Sequence, residues 1–243
     1  MKEITKAIIL AGGEGTRLRP VTLEIPKPLL TVRRKPIVNY LIELFRKHGV
    51  REVKVIIRPK DREEFSWWLQ RWGGVFDGIS VSVEEELKPM GTMGYWFHRL
   101  GKWAADESFF VTNGDELKDV DLSLMARRHG EAGGSATLAL VAVERPSEYG
   151  IARLEGDRIV EFIEKPQAPP SNLANSGLYI INPSVRRHIE GASKKEFLMA
   201  EYDLFPALAR ARKLSGFPGV SRWYDCGTLE RWQKAIEEWP VSE

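Results

Sequence analysis

Apolar residues along this chain follow two alternating patterns. Short continuous runs, Ala7-Ile8-Ile9-Leu10, Val53-Lys54-Val55-Ile56-Ile57 and Phe109-Phe110-Val111-Thr112, are of the kind carried by buried parallel strands. Between them lie stretches with the i, i+3, i+4 spacing of an amphipathic helix. Residues 36–48 place Ile37, Tyr40, Leu41, Leu44 and Phe45 on one face, with Pro36 suited to a first turn and Gly49 to a C-terminal cap. Residues 61–72 carry a second stripe, Phe65, Trp68, Leu69 and Trp72, which leaves Trp67 outside it and exposed. Residues 79–85 and 136–143 read as strands, and 94–105 and 122–129 as helices. Residues 150–155 and 158–164 form a hairpin turned at Gly156-Asp157. A strand at 178–181 and a helix at 204–211 follow, and a last helix at 228–239 has Leu229, Trp232, Ile236 and Trp239 on its inner face. This strand–helix–strand alternation predicts an α/β fold with a doubly wound parallel sheet.

Composition narrows the function classes. The chain has 243 residues, 36 Lys+Arg against 34 Asp+Glu, and a formal charge of +2. A near-neutral balance argues against a nucleic-acid binder that works through a broad basic surface. No apolar run approaches the ~20 residues of a membrane span. Met1-Lys2-Glu3-Ile4-Thr5-Lys6 leads directly into a core-like run, so a cytoplasmic protein without a signal peptide is expected. The single cysteine, Cys226, excludes an internal disulfide framework and a Cys-cluster zinc site, and reads as a small buried residue. His48, His98, His129 and His188 are dispersed without ligand spacing, so surface or capping roles are expected.

Candidate chemistry begins after the first strand. Gly12, Gly13 and Gly15 stand where ligands of open α/β sheets bind, beyond a strand's carboxyl end. Glycine there lets backbone N–H groups approach phosphate oxygens. Arg17 and Lys27 add positive charge. A tight turn with two solvated cations is the plainer account of the glycines alone. A lysine held between Pro26 and Pro28 argues against it, because two prolines restrict the backbone around one cation. The dinucleotide fingerprint would need glycine at Leu18, and Walker A spacing is absent.

The stretch Gly12-Gly13-Glu14-Gly15-Thr16-Arg17-Leu18-Arg19-Pro20, followed by Pro26-Lys27-Pro28-Leu29-Leu30, resembles the signature of the sugar-1-phosphate nucleotidyltransferases, the nucleotide-sugar pyrophosphorylases. The resemblance extends from Ala7 to about Trp239. It implies a Rossmann-like, doubly wound mixed sheet with an inserted sugar-binding β lobe around residues 144–182, all within one nucleotidyltransferase domain over 1–243. It implies that Leu10, Gly12, Gly13, Gly15 and Thr16 wrap a nucleoside triphosphate. Arg17 would steady the departing pyrophosphate, and Lys27 would contact the phosphates at the reacting centre.

Two aspartates are the candidate metal ligands. Asp115 closes Asn113-Gly114-Asp115, and Asp225 sits in Trp223-Tyr224-Asp225-Cys226-Gly227-Thr228. Taken singly, an aspartate at a strand end is as readily a cap or turn residue. Both segments resemble the family's metal-binding segments, in family order, which implies Asp115 and Asp225 as ligands of Mg²⁺. Magnesium is usually held by one or two carboxylates together with substrate phosphates and water.

The segments around Gly150, Glu164-Lys165-Pro166 and Asn175-Ser176-Gly177 resemble the family's sugar-binding segments. Lys165 would pair with the sugar phosphate, and Glu164 would accept hydrogen bonds from sugar hydroxyls. Gly150 would offer a backbone amide and Asn175 a further polar contact. A surface pair at a strand end is the alternative for Glu164-Lys165 alone, worth under about 1 kcal/mol.

Residues 84–94 resemble the base-recognition loop, with Gly91 and Thr92 at the nucleotide. Glu86 stands where uridylyl and thymidylyl members commonly place glutamine. An ionised carboxylate only accepts, and guanine offers two adjacent donors, N1–H and the 2-amino group. The reading therefore leans to GTP, with mannose- or heptose-1-phosphate as acceptor. Uridylyl or thymidylyl transfer to glucose-1-phosphate or an amino-sugar 1-phosphate stays open, as do a non-catalytic nucleotide-sugar-binding paralogue and a homo-oligomer.

Overall fold

The computed structural model describes residues 3–189 and 191–240. Its contacts group into two compact units. The first, called here the N-terminal unit, comprises Thr5–Leu87, Thr112–Val120 and Ser221–Glu243. The second, the central unit, comprises Met1–Ile4, Lys88–Val111 and Asp121–Val220.

In the N-terminal unit, strand Lys6–Leu10 runs parallel to Glu52–Ile57, and Glu52–Ile57 runs parallel to Ser80–Glu85. Ala7, Ile8 and Ile9 are fully buried, so the continuous apolar run is a strand covered on both faces. Helix Ile37–Lys47 begins one residue after Pro36 and buries Ile37, Val38, Leu41, Ile42 and Phe45. It ends before Gly49, whose φ of +83° suits a residue without Cβ. In helix Arg62–Trp72, Phe65 and Trp68 are buried and Trp67 is 60% exposed, as the stripe predicts. Trp68 Nε1 donates to Asn39 Oδ1 at 2.7 Å, tying this helix to the first.

Strands Glu116–Val120 and Val220–Asp225 pair with each other, and neither was legible in the apolar pattern. A core of Leu18, Leu30, Val32, Ile37, Leu117, Cys226, Ala235 and Trp239 gathers beside them. The last helix, Leu229–Glu238, turns Trp232 and Ile236 to this core, with Trp239 directly behind its end. Leu229 is 46% exposed and does not belong to the inner face. It is the first helical residue, and the buried stripe runs through Trp232, Ala235, Ile236 and Trp239 instead.

The central unit has a mixed sheet. Leu173–Ile181 lies antiparallel to Ala136–Ala142, which runs parallel to Leu214–Phe217. Arg158–Glu164 follows, antiparallel to Leu214–Phe217 and to its hairpin partner Gly150–Glu155. The hairpin turns at Gly156, φ +59°, at the expected dipeptide. The helix expected over 94–105 is Gly91–His98, followed by a separate 3₁₀ turn at Gly101–Ala104. Gly101, at φ +45°, breaks the helical run. Helix Leu122–Ala132 is capped by Asp121, whose carboxylate accepts from Leu124 N at 2.8 Å. His129 on this helix is buried, not a surface or cap residue, and its Nδ1 lies 2.8 Å from Thr137 Oγ1. Burial lowers its pKa to about 4, so the ring is neutral. Among the described residues no helix is long and apolar enough to cross a membrane.

Candidate active site

The expected site residues divide between the units, and each group is organised by its own contacts. In the N-terminal unit, strand Lys6–Leu10 delivers the chain to Gly12 and Gly13. Gly13 and Thr16 are exposed, and a Cβ at Gly13 would meet nothing within 4 Å, so this stretch presents open backbone. Gly15 is held at φ +67°, where a Cβ would strike Thr22 Cγ2 at 2.8 Å. Thr22 Oγ1 donates to the Gly15 carbonyl at 2.7 Å and fixes the loop's exit.

Lys27 opens the 3₁₀ turn Lys27–Leu29, and its ammonium lies 2.9 Å from Asp115 Oδ2. The aspartate is placed by Gly114, whose N–H donates to the Leu10 carbonyl at 2.9 Å. A Cβ on Gly114 would lie 2.9 Å from that carbonyl oxygen and 3.1 Å from Pro28 Cγ. Glycine there thus allows the first strand's end, the Pro26-Lys27-Pro28 segment and Asp115 to converge.

Asp225 belongs to the same group. The Cys226 N–H donates to the Asp115 carbonyl at 3.0 Å, stitching the two metal-candidate segments together. Asp225 Oδ1 accepts from Gly227 N at 2.7 Å, and Oδ2 accepts from Arg231. A Cβ at Gly227 would sit 2.9 Å from Arg17 Nη2, so the Arg17 guanidinium reaches this segment as well. Burial, then the charges of Asp115 and Asp225, push the Cys226 thiol far above its ordinary range. Cys226 is therefore a buried protonated thiol, as expected.

The donor set fits one hard cation. Two carboxylates are joined through adjacent backbone, each already facing a cationic side chain. Among the described residues no group of three or more His, Cys, Asp or Glu could hold a metal. A two-carboxylate site completed by substrate phosphates and water needs no third ligand.

Beneath these aspartates lies a buried polar cluster that the sequence reading missed. Glu116 accepts from Lys118 Nζ at 3.0 Å, Trp223 Nε1 at 2.8 Å and Asn113 Nδ2 at 2.8 Å. Lys118, with 0% of its side chain exposed, also donates to Thr112 Oγ1 at 2.9 Å. Burial, with Asp115 and Asp225 nearby, holds the Glu116 carboxyl above its ordinary value despite Lys118. The only sequence signal was Glu116-Leu117-Lys118, two opposite charges at strand period on one face.

Glu86 leaves strand Ser80–Glu85, its N–H donating to the Ile57 carbonyl at 2.8 Å. Its Oε2 lies 3.5 Å from where a Cβ on Gly12 would stand, so the carboxylate borders the glycine loop.

In the central unit, Gly91 has φ +78°, and a Cβ there would strike the Leu198 carbonyl oxygen at 2.3 Å. Its lack of side chain is thus required by packing within the unit. Thr92 Oγ1 donates to Glu201 Oε2 at 2.6 Å and accepts from Ala200 N at 2.9 Å. A Cβ on Gly150 would lie 2.5 Å from Glu164 Oε2, so the Glu164 carboxyl lies over Gly150. Lys165 follows with φ +47° and its ammonium 3.6 Å from Glu164 Oε1, the lysine 64% exposed and the glutamate 13%. Asn175 Oδ1 accepts from Gly177 N at 3.1 Å across an irregularity in its strand. Glu201 is the residue that sequence reasoning missed here, since no pattern in Leu198–Asp203 marked it.

The family model described as nucleotidyl transferase matches residues 6–240. The chain is 36% identical over 228 residues to the mannose-1-phosphate guanylyltransferase catalytic subunit beta of Danio rerio. It is 36% identical over 231 residues to mannose-1-phosphate guanyltransferase beta-B of Xenopus laevis. Each alignment covers 91% of this chain and 61% of the relative, so the chain spans about three fifths of those proteins. Among solved structures, UDP-glucose pyrophosphorylase is similar in fold in its apo form and in complex with UDP-glucose. The TM-score is 0.78 for both, at 23% and 24% identity, over 96% of this chain and 97% of the other.

Proposed function

This chain belongs to the nucleotidyl transferase family, and we propose that it joins a nucleoside triphosphate to a sugar 1-phosphate, giving a nucleotide sugar and pyrophosphate. GTP and mannose- or heptose-1-phosphate are the favoured substrates. The observation that carries the reading is the grouping of Lys27, Asp115, Asp225 and Arg17 behind an open glycine loop at a strand's carboxyl end. The likeness to mannose-1-phosphate guanylyltransferases supports the same choice of substrates.

An oxygen of the sugar phosphate attacks the α-phosphorus in line and pyrophosphate leaves. That oxygen is already an anion at neutral pH, so no general base is needed. Catalysis is then positioning and charge stabilisation. Leu10, Gly12, Gly13, Gly15 and Thr16 present backbone to the triphosphate. Arg17 offsets charge on the departing pyrophosphate, and Lys27, oriented by Asp115, offsets charge at the α-phosphate. Asp115 and Asp225 would hold a divalent cation, Mg²⁺ in this reading, which neutralises phosphate charge when bound.

Gly91 and Thr92 complete the nucleotide contacts. Glu86, an acceptor-only side chain beside Gly12, reads the N1–H and 2-amino donors of guanine. Lys165 holds the acceptor phosphate, and Gly150, Glu164 and Asn175 hold its ring, within a lobe around residues 144–182 of one nucleotidyltransferase domain. Pyrophosphate release with Mg²⁺ over five nucleoside triphosphates and a panel of sugar 1-phosphates tests the proposal. GTP with mannose- or heptose-1-phosphate should exceed the rest. Preference for UTP or dTTP would overturn the reading of Glu86, and silence across the panel would overturn the reaction.

A further inference from the structure

Asp225, one of the two proposed metal ligands, has a partner on each carboxylate oxygen. Oδ1 accepts from Gly227 N at 2.7 Å, and Oδ2 accepts from Arg231 Nη1. The first bond closes within Asp225–Gly227 and fixes the carboxylate to its own backbone. The second is a charge-assisted bond to a side chain on the next helix, with Arg231 26% exposed and Asp225 14%. A cation that took Oδ2 would take the atom the guanidinium holds.

Helix stability does not explain this arginine. Arg231 is the third residue of helix Leu229–Glu238, where the aligned peptide dipoles disfavour positive charge. Its N–H donates to the Thr228 cap at 3.3 Å, so capping does not call on its side chain. The guanidinium instead joins a neighbourhood rich in cations. Arg17 Nη2 and Asp225 Oδ1 lie 2.9 and 2.6 Å from one point, the place of a Cβ on Gly227. Lys27 lies 2.9 Å from Asp115, whose carbonyl accepts from Cys226 N. Three cationic side chains therefore serve two carboxylates, with Glu116 matched separately by Lys118 at 3.0 Å. That surplus favours a polyanion. Arg17 and Lys27 have parts in the proposed reaction, and Arg231 does not yet have one.

We propose that Arg231 is a third phosphate-binding cation of the site, exchanging Asp225 for a phosphate oxygen when that carboxylate ligates the divalent cation. The proposal deepens the proposed function and rests on Asp225 as a metal ligand. The exchange keeps every charge paired. The carboxylate passes from guanidinium to metal. The guanidinium, whose planar array of N–H donors suits carboxylate and phosphate alike, passes to the pyrophosphate end of the substrate. No proton moves and no covalent bond changes. Because Oδ1 is anchored on Gly227 N, loss of Arg231 leaves Asp225 in place.

The test uses the full chain, a thermal melt of each variant and two probes. Mn²⁺ is followed by electron paramagnetic resonance, and pyrophosphate by calorimetry at saturating Mn²⁺. Arg231→Met removes the competitor for Oδ2 and should tighten Mn²⁺ binding to the protein alone by about fivefold. The same variant should bind pyrophosphate roughly tenfold more weakly and lower kcat with GTP and mannose 1-phosphate by roughly 10²-fold. Arg231→Lys keeps a cation and should return pyrophosphate binding to within about threefold of the parent. Unchanged or weaker Mn²⁺ binding in Arg231→Met would overturn the exchange, because an arginine that only props Asp225 supports the metal site rather than competing for it. Unchanged pyrophosphate binding would overturn the phosphate contact. A parent without turnover on any sugar 1-phosphate, in which both binding changes still appear, would overturn the reaction and leave the role of Arg231 standing.

Discussion

The two units handle buried charge in opposite ways. In the N-terminal unit each candidate catalytic carboxylate faces a cation: Asp115 faces Lys27, Asp225 faces Arg231, and buried Glu116 faces Lys118. In the central unit the matching is looser. Glu164 meets the ammonium of a largely exposed Lys165, Glu201 accepts from the Thr92 hydroxyl, and His129 meets the Thr137 hydroxyl. A site for a polyanion and a cation requires charges of both signs held rigidly, which mutual pairing achieves before substrate arrives. If the central unit holds the sugar, as proposed, hydrogen-bonding atoms matter there more than net charge.

The largest expected effect tests the paired side. Asp115→Asn should lower kcat for pyrophosphate release by roughly 10²–10³-fold or more while the melting temperature changes little. A near-normal kcat would remove Asp115 from the metal site and from the comparison. Next, Lys118→Met leaves Glu116 buried without its ammonium and should cost about 3–5 kcal/mol in urea unfolding. A loss under about 1 kcal/mol, the worth of a surface pair, would mean the pairing is incidental.

The looser side answers to pH. The His129 pKa falls from 6.5 to about 4 on folding, so its contribution is complete above pH 6.5 and is lost as pH falls toward 4. That loss amounts to about 3 kcal/mol. His129→Asn should flatten this stretch of the stability–pH curve, and an unchanged slope would refute the assignment. Glu164 and Glu201 have raised values and work in the other direction. Their contribution is complete below the ordinary carboxylate pKa and is lost as pH rises through their folded values. The smallest expected effect is in base choice: Glu86→Gln should shift the GTP-to-UTP ratio of kcat/KM by about tenfold toward UTP. An unchanged ratio would show that Glu86 does not read the base.

Much of the fold was legible because burial on both faces leaves an unmistakable pattern. Ala7–Leu10, the helix after Pro36 and the hairpin at Gly156-Asp157 all appear where apolar period and turn chemistry put them. Glu116–Val120 was illegible for the converse reason: Glu116 and Lys118 look solvent-facing as letters, yet both are buried as an ion pair. Leu229 looked like core because a helical stripe does not say which residue begins the helix.

For the candidate site, local sequence determined the kinds of groups present. A glycine loop, a lysine between prolines and two aspartates in Asn-Gly-Asp and Trp-Tyr-Asp-Cys-Gly-Thr are covalent facts of the chain. Tertiary structure alone decided who faces whom. Lys27 meets Asp115 across 88 positions and Thr92 meets Glu201 across 109, and nothing local in either segment encodes its partner. Those pairings exist because strand order and packing bring distant backbone together, and because removing a charge or hydroxyl from water is tolerable only where a partner is already waiting.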